Sequence, residues 1–167
     1  SGLMELREEI NNYLTRRMNV SYNPKSEIII TVGGSEAIDI SIRTVIEPGD
    51  EVLIVEPCFV CYEPIVRLSG GIPVPIATKE ENSFRLTAEE LKEKITDRTK
   101  LLILPFPNNP TGAIMTCEDL ESIAEVLREA SLAHIDFSRV FYKKFPDNLM
   151  FNYCMILASE YYGHNIK

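Results

Sequence analysis

The sequence predicts an α/β fold, a three-layer αβα sandwich built on a mostly parallel sheet. Three observations carry that expectation. Short apolar runs alternate with segments whose apolar residues recur at three- and four-residue steps, the βαβα order of a parallel sheet. The apolar runs are continuous rather than alternating, which suits strands covered on both faces. Gly and Pro punctuate the junctions between the two kinds of segment. A chain of 167 residues is long enough for one domain that buries roughly two-thirds of its surface.

The elements follow in order. Leu3, Leu6, Ile10, Tyr13 and Leu14 draw one apolar stripe of a first helix, and Asn23-Pro24 breaks it. Ile28 to Val32 reads as a buried strand, stopped by Gly33-Gly34. Ser35 can cap the next helix, whose inner face is Ile38, Ile42, Val45 and Ile46. Pro48-Gly49-Asp50 turns the chain into a strand from Glu51 to Val55, ended by Glu56-Pro57. A helix over Val60 to Leu68 closes at Gly70-Gly71, and Ile72 to Ala77 makes a third strand. Thr87-Ala88-Glu89-Glu90 is a capping box for a helix reaching about Ile95. Leu101 to Leu104 is the fourth strand, and Thr116-Cys117-Glu118-Asp119 starts a helix with Leu120, Ile123, Ala124 and Leu127 inward. These elements make a core over 1–130. The tail, 131–167, differs in character: eight of the fourteen aromatic residues fall between Phe137 and Tyr162. Ser131 to Asp136 can add one more strand, with room for a helix after it.

Composition narrows the function classes. A net charge of -8 speaks against a nucleic-acid partner, which needs clustered Lys and Arg. No apolar run approaches a membrane span, and the first residues lack the layout of a signal peptide. A soluble, cytoplasmic domain is expected. Cys58, Cys61, Cys117 and Cys154 fit a reducing compartment, and the Cys-x-x-Cys spacing at 58–61, with no second pair, reads as two half-buried small residues rather than a metal or redox site. No metal site is expected.

The most telling stretch is Pro105-Phe106-Pro107-Asn108-Asn109-Pro110-Thr111-Gly112. It follows a buried strand and abandons regular pairing at once, because prolines cannot donate to a ladder. What remains is a rigid loop with two Asn amides at a strand's C-terminal end, where open α/β sheets place their ligands. Gly33-Gly34-Ser35-Glu36 stands between a predicted strand and a helix. Two readings of it stay open: an ordinary turn needing φ > 0, or an anion cradle of unspent helical N–H groups with a serine hydroxyl. Glu56-Pro57-Cys58-Phe59 ends another strand on the same rim, and Phe59 there either packs or offers a face to a planar heterocycle.

In order and spacing, these segments resemble the large domain of class I and II aminotransferases, which depend on pyridoxal 5'-phosphate (PLP). The resemblance covers about Ser1 to Ala130. It implies that Gly34, Ser35 and the Glu36 backbone hold the cofactor phosphate, that Phe59 lies over the pyridine, with Tyr62 only a neighbour, and that Asn109 meets the ring hydroxyl and the substrate carboxylate. It also implies cis peptide bonds at Glu56-Pro57 and Asn109-Pro110, an amino acid and a 2-oxo acid as substrates, and a homo-oligomer. Asp136 stands near the place of the family's pyridine-nitrogen aspartate. The family follows that residue with Glu-x-Tyr, whereas here Phe137-Ser138-Arg139 follows, so both a cofactor role and an unrelated one remain for Asp136.

The departures matter as much. The family's Schiff-base lysine stands in a Ser-x-x-Lys or Ser-x-Lys setting, and none occurs here. Lys167 has no matching neighbours and reads as a solvated terminus. No catalytic residue is therefore assigned. The family's N-terminal arm and C-terminal domain have no counterpart, and a frame shift or truncation after about Ala130 would account for the tail. Two hypotheses follow. The chain is part of an aminotransferase-type enzyme, inactive alone, or it is a non-catalytic remnant or binding and oligomerisation domain that keeps the fold.

Overall fold

The computed structural model of the protein describes residues 2–131 and the strand 155–158. The chain divides into two compact units with a boundary between Ala37 and Ile38. In the first, helix α1 (Met4–Met18) ends at Asn19, whose φ of 52° gives the left-handed turn that stops a helix. The segment after it is fastened to α1 by two side chains. Buried Arg7 donates to the carbonyls of Pro24 (2.8 Å) and Lys25 (3.4 Å), and Asn11 accepts from the Tyr22 N–H at 2.8 Å. Of the expected apolar stripe, Leu3 and Leu6 are exposed while Ile10, Tyr13 and Leu14 are half-buried.

One predicted strand does not form. Ile28 to Val32 has no ladder among the described residues, and Ile29 and Val32 are exposed. Apolar, β-branched composition only makes a residue suitable for a pleated surface; a strand also needs a neighbour to pair with. Helix α2 (Gly34–Val45) starts one residue before Ser35, so Ser35 lies inside the first turn rather than capping it.

The second unit is a layered α/β body. Strand β1 (Glu51–Glu56) pairs in parallel with β2 (Ile72–Ala77) on one side and β3 (Thr99–Leu104) on the other. Strand β4 (Met155–Ala158) adds to β3 antiparallel, giving the order β2-β1-β3-β4. Helix α3 (Tyr62–Leu68) connects β1 to β2. A 3₁₀ turn (Glu80–Asn82) and the short α4 (Ala88–Lys92) lie between β2 and β3, and α5 (Cys117–Ser131) follows β3. The expected residues 132–136 strand lies outside the described residues, apart from Ser131, which ends α5.

The continuous apolar strands are explained by the two faces. Val52, Ile54, Leu101 and Ile103 point to a core shared with Ile38, Ile42 and Ile46 and with Tyr62, Ile65 and Val66 of α3. Leu53, Val55, Leu102 and Leu104 point the other way, to Leu91 of α4 and to Ile123, Val126 and Leu127 of α5. Alternate residues of one strand thus feed two cores, and each buried Ile or Leu contributes roughly 1.5–3 kcal/mol of apolar burial. These layers realise the expected αβα sandwich in part. The capping box at α4 is complete: Glu90 N–H donates to Thr87 Oγ1 at 3.2 Å and Thr87 N–H to Glu90 Oε2 at 3.0 Å.

At the start of α5 the same reciprocal pair is built with aspartate. Thr116 N–H donates to Asp119 Oδ2 at 2.8 Å, Asp119 N–H returns to Thr116 Oγ1 at 3.1 Å, and Arg85 reaches the carboxylate at 3.0 Å. Partial burial raises the Asp119 pKa, but the Thr116 and Arg85 hydrogen bonds outweigh it and hold the carboxyl below its ordinary value. A carboxyl depressed in the folded state adds stability that is fully present above its unfolded pKa and is lost as pH falls through the folded one. Asp119→Asn should therefore cost about 0.5–1 kcal/mol at neutral pH, from the charge at a helix N-terminus and its ion pair. The difference from the unaltered chain should shrink as denaturant melts are repeated at falling pH, below the ordinary aspartate pKa of about 3.9. A pH-independent difference would show that the charge contributes nothing.

Candidate functional site

Parallel pairing brings the C-terminal ends of β1 and β3 side by side, and each empties into a proline-bearing loop. The β1 loop begins with a cis Glu56-Pro57 bond; the β3 loop carries cis bonds at Phe106-Pro107 and Asn109-Pro110. Both expected cis bonds are present, together with a third, at Phe106-Pro107, that the sequence reading did not anticipate. Thr78, just past β2, fastens the end of β1 by donating both its N–H (2.8 Å) and its hydroxyl (2.7 Å) to the Glu56 carbonyl.

The β3 loop is organised around Asn108, which is only 6% exposed. Its Nδ2 donates to the Pro57 carbonyl at 2.9 Å, crossing to the other loop. Its Oδ1 accepts from Thr111 N–H at 3.2 Å and from Thr111 Oγ1 at 3.0 Å. Its backbone closes the turn, the N–H donating to the Ala113 carbonyl at 2.8 Å and the carbonyl accepting from Gly112 N–H at 2.9 Å. Gly112 takes a φ of 72° there, in the left-handed region. Asn109 is the opposite of its neighbour: exposed, with no side-chain partner among the described residues. An unspent amide on a braced loop is suited to a ligand.

Phe59 is half-buried. Its ring packs against the α3-side core and meets Tyr62 edge to face, with centroids 6.0 Å apart and planes at 82°. Tyr62 is buried beneath it. The same loop holds Cys58, whose thiol pKa is pushed up to about 11, first by burial and then by the negative charge of Glu56, Cys61 and Glu63. Cys58 and Cys61 are both half-buried and not disulfide-linked.

Gly34, Ser35 and Glu36 lie in the first unit and are exposed. Gly33 has a φ of 84°, and a Cβ placed on either Gly33 or Gly34 would meet nothing within 4 Å, so their smallness is not required by packing. The Glu36 carboxylate accepts from the Val32 N–H, so a side chain of the turn takes up one donor beside it. Asp136 lies outside the described residues.

Phe59 and Asn109 are therefore held in one body, joined through Asn108. Sequence reasoning named Asn109 and passed over Asn108 and Thr111. The signal was present as Asn-x-x-Thr, in which an Asn side chain accepts from residues ahead of it in a turn. The reach to Pro57 is a long-range contact that no local pattern encodes.

The family model for class I and II aminotransferases matches residues 1–138. An aromatic-amino-acid aminotransferase of Thermococcus litoralis is 44% identical over 131 residues, covering 78% of this chain and 34% of that protein. An aspartate aminotransferase of Pyrococcus abyssi is likewise 44% identical over 131 residues, with 78% and 34% covered. The crystal structure of an aromatic aminotransferase from Pyrococcus horikoshii superposes with a TM-score of 0.73 at 44% identity, covering 78% of this chain and 35% of that one. The chain spans about a third of the length of the curated relatives it matches.

The raised thiol pKa gives a direct test of the β1 loop. Alkylation by iodoacetamide at pH 8, followed by peptide mass mapping, should label exposed Cys117 well before Cys58. The Cys58 rate should still be climbing with pH at pH 10, because the thiolate is the nucleophile. Labelling of Cys58 ahead of Cys117 at pH 8 would show that the loop leaves the thiol open.

Proposed function

The chain belongs to the class I and II aminotransferase family, and from that premise we propose that it supplies PLP-binding loops for amino-group transfer between an amino acid and a 2-oxo acid. Phe59 stacks on the pyridine face. Asn109 donates to the ring hydroxyl and to the substrate carboxylate. Gly34 and Ser35, with the Glu36 backbone N–H, hold the phosphate at the start of α2, where helical N–H groups and the dipole favour an anion. Asp136 serves the pyridine nitrogen. When bound, PLP supplies the electron sink that stabilises a carbanion at the substrate's α-carbon. What the residues named here do is bind and orient.

The observation that carries this reading is the contrast between Asn108 and Asn109. One amide is buried with both ends engaged, and the next is exposed with neither end engaged among the described residues. A loop built only to turn the chain would not spend so many internal bonds presenting one unused amide. The open space at Gly33 and Gly34 supports the phosphate assignment in the same way.

Alone, this polypeptide does not transaminate, because no lysine stands in the family's setting. Its activity belongs to a complete, homo-oligomeric enzyme in the cytoplasm. PLP titrated into the chain should bind weakly and reversibly, and borohydride should leave no single lysine labelled on peptide mapping. Asn109→Ala and Phe59→Leu should each weaken binding several-fold, as expected for loss of one hydrogen bond or one stacked ring. Turnover of an amino donor with a label confined to Lys167 would overturn the proposal of inactivity. Unchanged PLP affinity in both variants would overturn the assignment of the loops.

A further inference from the structure

Asn108 is given no contact with the proposed ligand, yet among the described residues its side chain bonds to both loops that would hold it. Through Nδ2 it holds the Pro57 carbonyl, two residues before Phe59. Through Oδ1 it holds Thr111, two residues after Asn109. It is 6% exposed, so water does not compete for these bonds. Thr111 in turn accepts from Ala113 N–H at 3.2 Å, and this extends the brace through the loop. Pro57, Pro107 and Pro110 have no N–H to offer, which leaves side chains to do the fastening. Both of Asn108's side-chain functions are needed: a donor toward one loop and an acceptor toward the other. A carboxylate of the same size could only accept, whereas the amide carries its donor and its acceptor on separate atoms that face opposite loops.

Resting on the cofactor reading above, we propose that Asn108 is a positioning residue that fixes the separation and orientation of Phe59 and Asn109, so that stacking and hydrogen bonding reach one planar ring together. The residue acts through its neighbours and not on the ligand. Its loss uncouples the two contacts, and the Asn109 amide then adds little because it is no longer held where the ring hydroxyl lies.

The test has two arms on the full chain. In the first, PLP is titrated spectroscopically into the unaltered protein, Asn108→Ala, Asn109→Ala and the double variant. Asn108→Ala should weaken binding about tenfold, the scale of one well-placed buried hydrogen bond. Asn109→Ala should add little on top of it, a coupling that general destabilisation does not produce. In the second, 19F NMR is recorded on 4-fluorophenylalanine-labelled protein with no ligand added, the Phe59 signal being assigned by Phe59→Leu. Asn108→Ala should move that signal and Asn109→Ala should not. Should Asn108→Ala fail to fold, Thr111→Val removes only one of the two bonds to Oδ1. It should weaken PLP binding about threefold and reduce the effect of Asn109→Ala.

Additive losses in the cycle, or a Phe59 signal indifferent to Asn108→Ala, would overturn the positioning role. If Asn109→Ala weakens PLP binding and Asn108→Ala does not, this proposal falls and the cofactor reading stands. If Asn109→Ala and Phe59→Leu both leave PLP affinity unchanged, the cofactor reading falls and takes the proposal with it.

Discussion

The parallel pairing of β1 with β3 is the constraint on which the rest depends. Parallel neighbours end at the same edge of a sheet, so the loops that follow them must share that edge whatever their sequences. Here the two loops are the proline-bearing segments after Glu56 and Leu104. The pairing in turn requires both faces of the strands to be covered, because β1 and β3 each hold four consecutive apolar residues, Val52 to Val55 and Leu101 to Leu104. Tyr62, Ile65 and Val66 cover one face, and Leu91, Ile123 and Leu127 cover the other. The helices are therefore a condition of the site as much as of the fold.

The two ends of this strand pair are closed by different chemistry. At the N-terminal end the buried Glu51 carboxylate accepts from Thr96 Oγ1 at 2.6 Å and pairs with exposed Arg98. An ionised group can be held there because Arg98 keeps its contact with water, which limits the desolvation cost. At the C-terminal end the fastening is neutral, through the Asn108 amide. The neutral amide adds rigidity without adding charge to an end that already carries Glu56 and Glu63 near Cys58. The prolines work in the same direction. They carry no N–H, so the loops present fewer donors that must be satisfied inside the protein.

Much of this was legible in the sequence because it is local. Strand and helix periods, the Thr87 capping box, the glycine at 70 and the boundaries of β2 all follow from residues within a few positions of one another, whereas β3 begins at Thr99, two residues before its apolar run. Ile28 to Val32 was misread for a physical reason: whether an apolar run becomes a strand depends on a pairing partner elsewhere, which local composition does not specify. The candidate site divides along the same line. Phe59 and Asn109 were singled out by motif, since each sits in a recognisable local setting. Asn108 was not singled out, because its importance lies in a bond to Pro57, across 51 positions of sequence.

That long-range bond also decides how far the second unit can stand as a binding element by itself. Phe59, Tyr62, Asn108, Asn109 and Thr111 all fall within it, and so do the cores that support them. Phe59, Asn109 and their brace therefore lie in one compact body. The glycine turn is different in kind. Gly34, Ser35 and Glu36 open α2, whose buried residues Ile38 and Ile42 belong to the second unit's core, while the turn itself belongs to the first unit. The helix is anchored by its apolar face, and its first turn is left open.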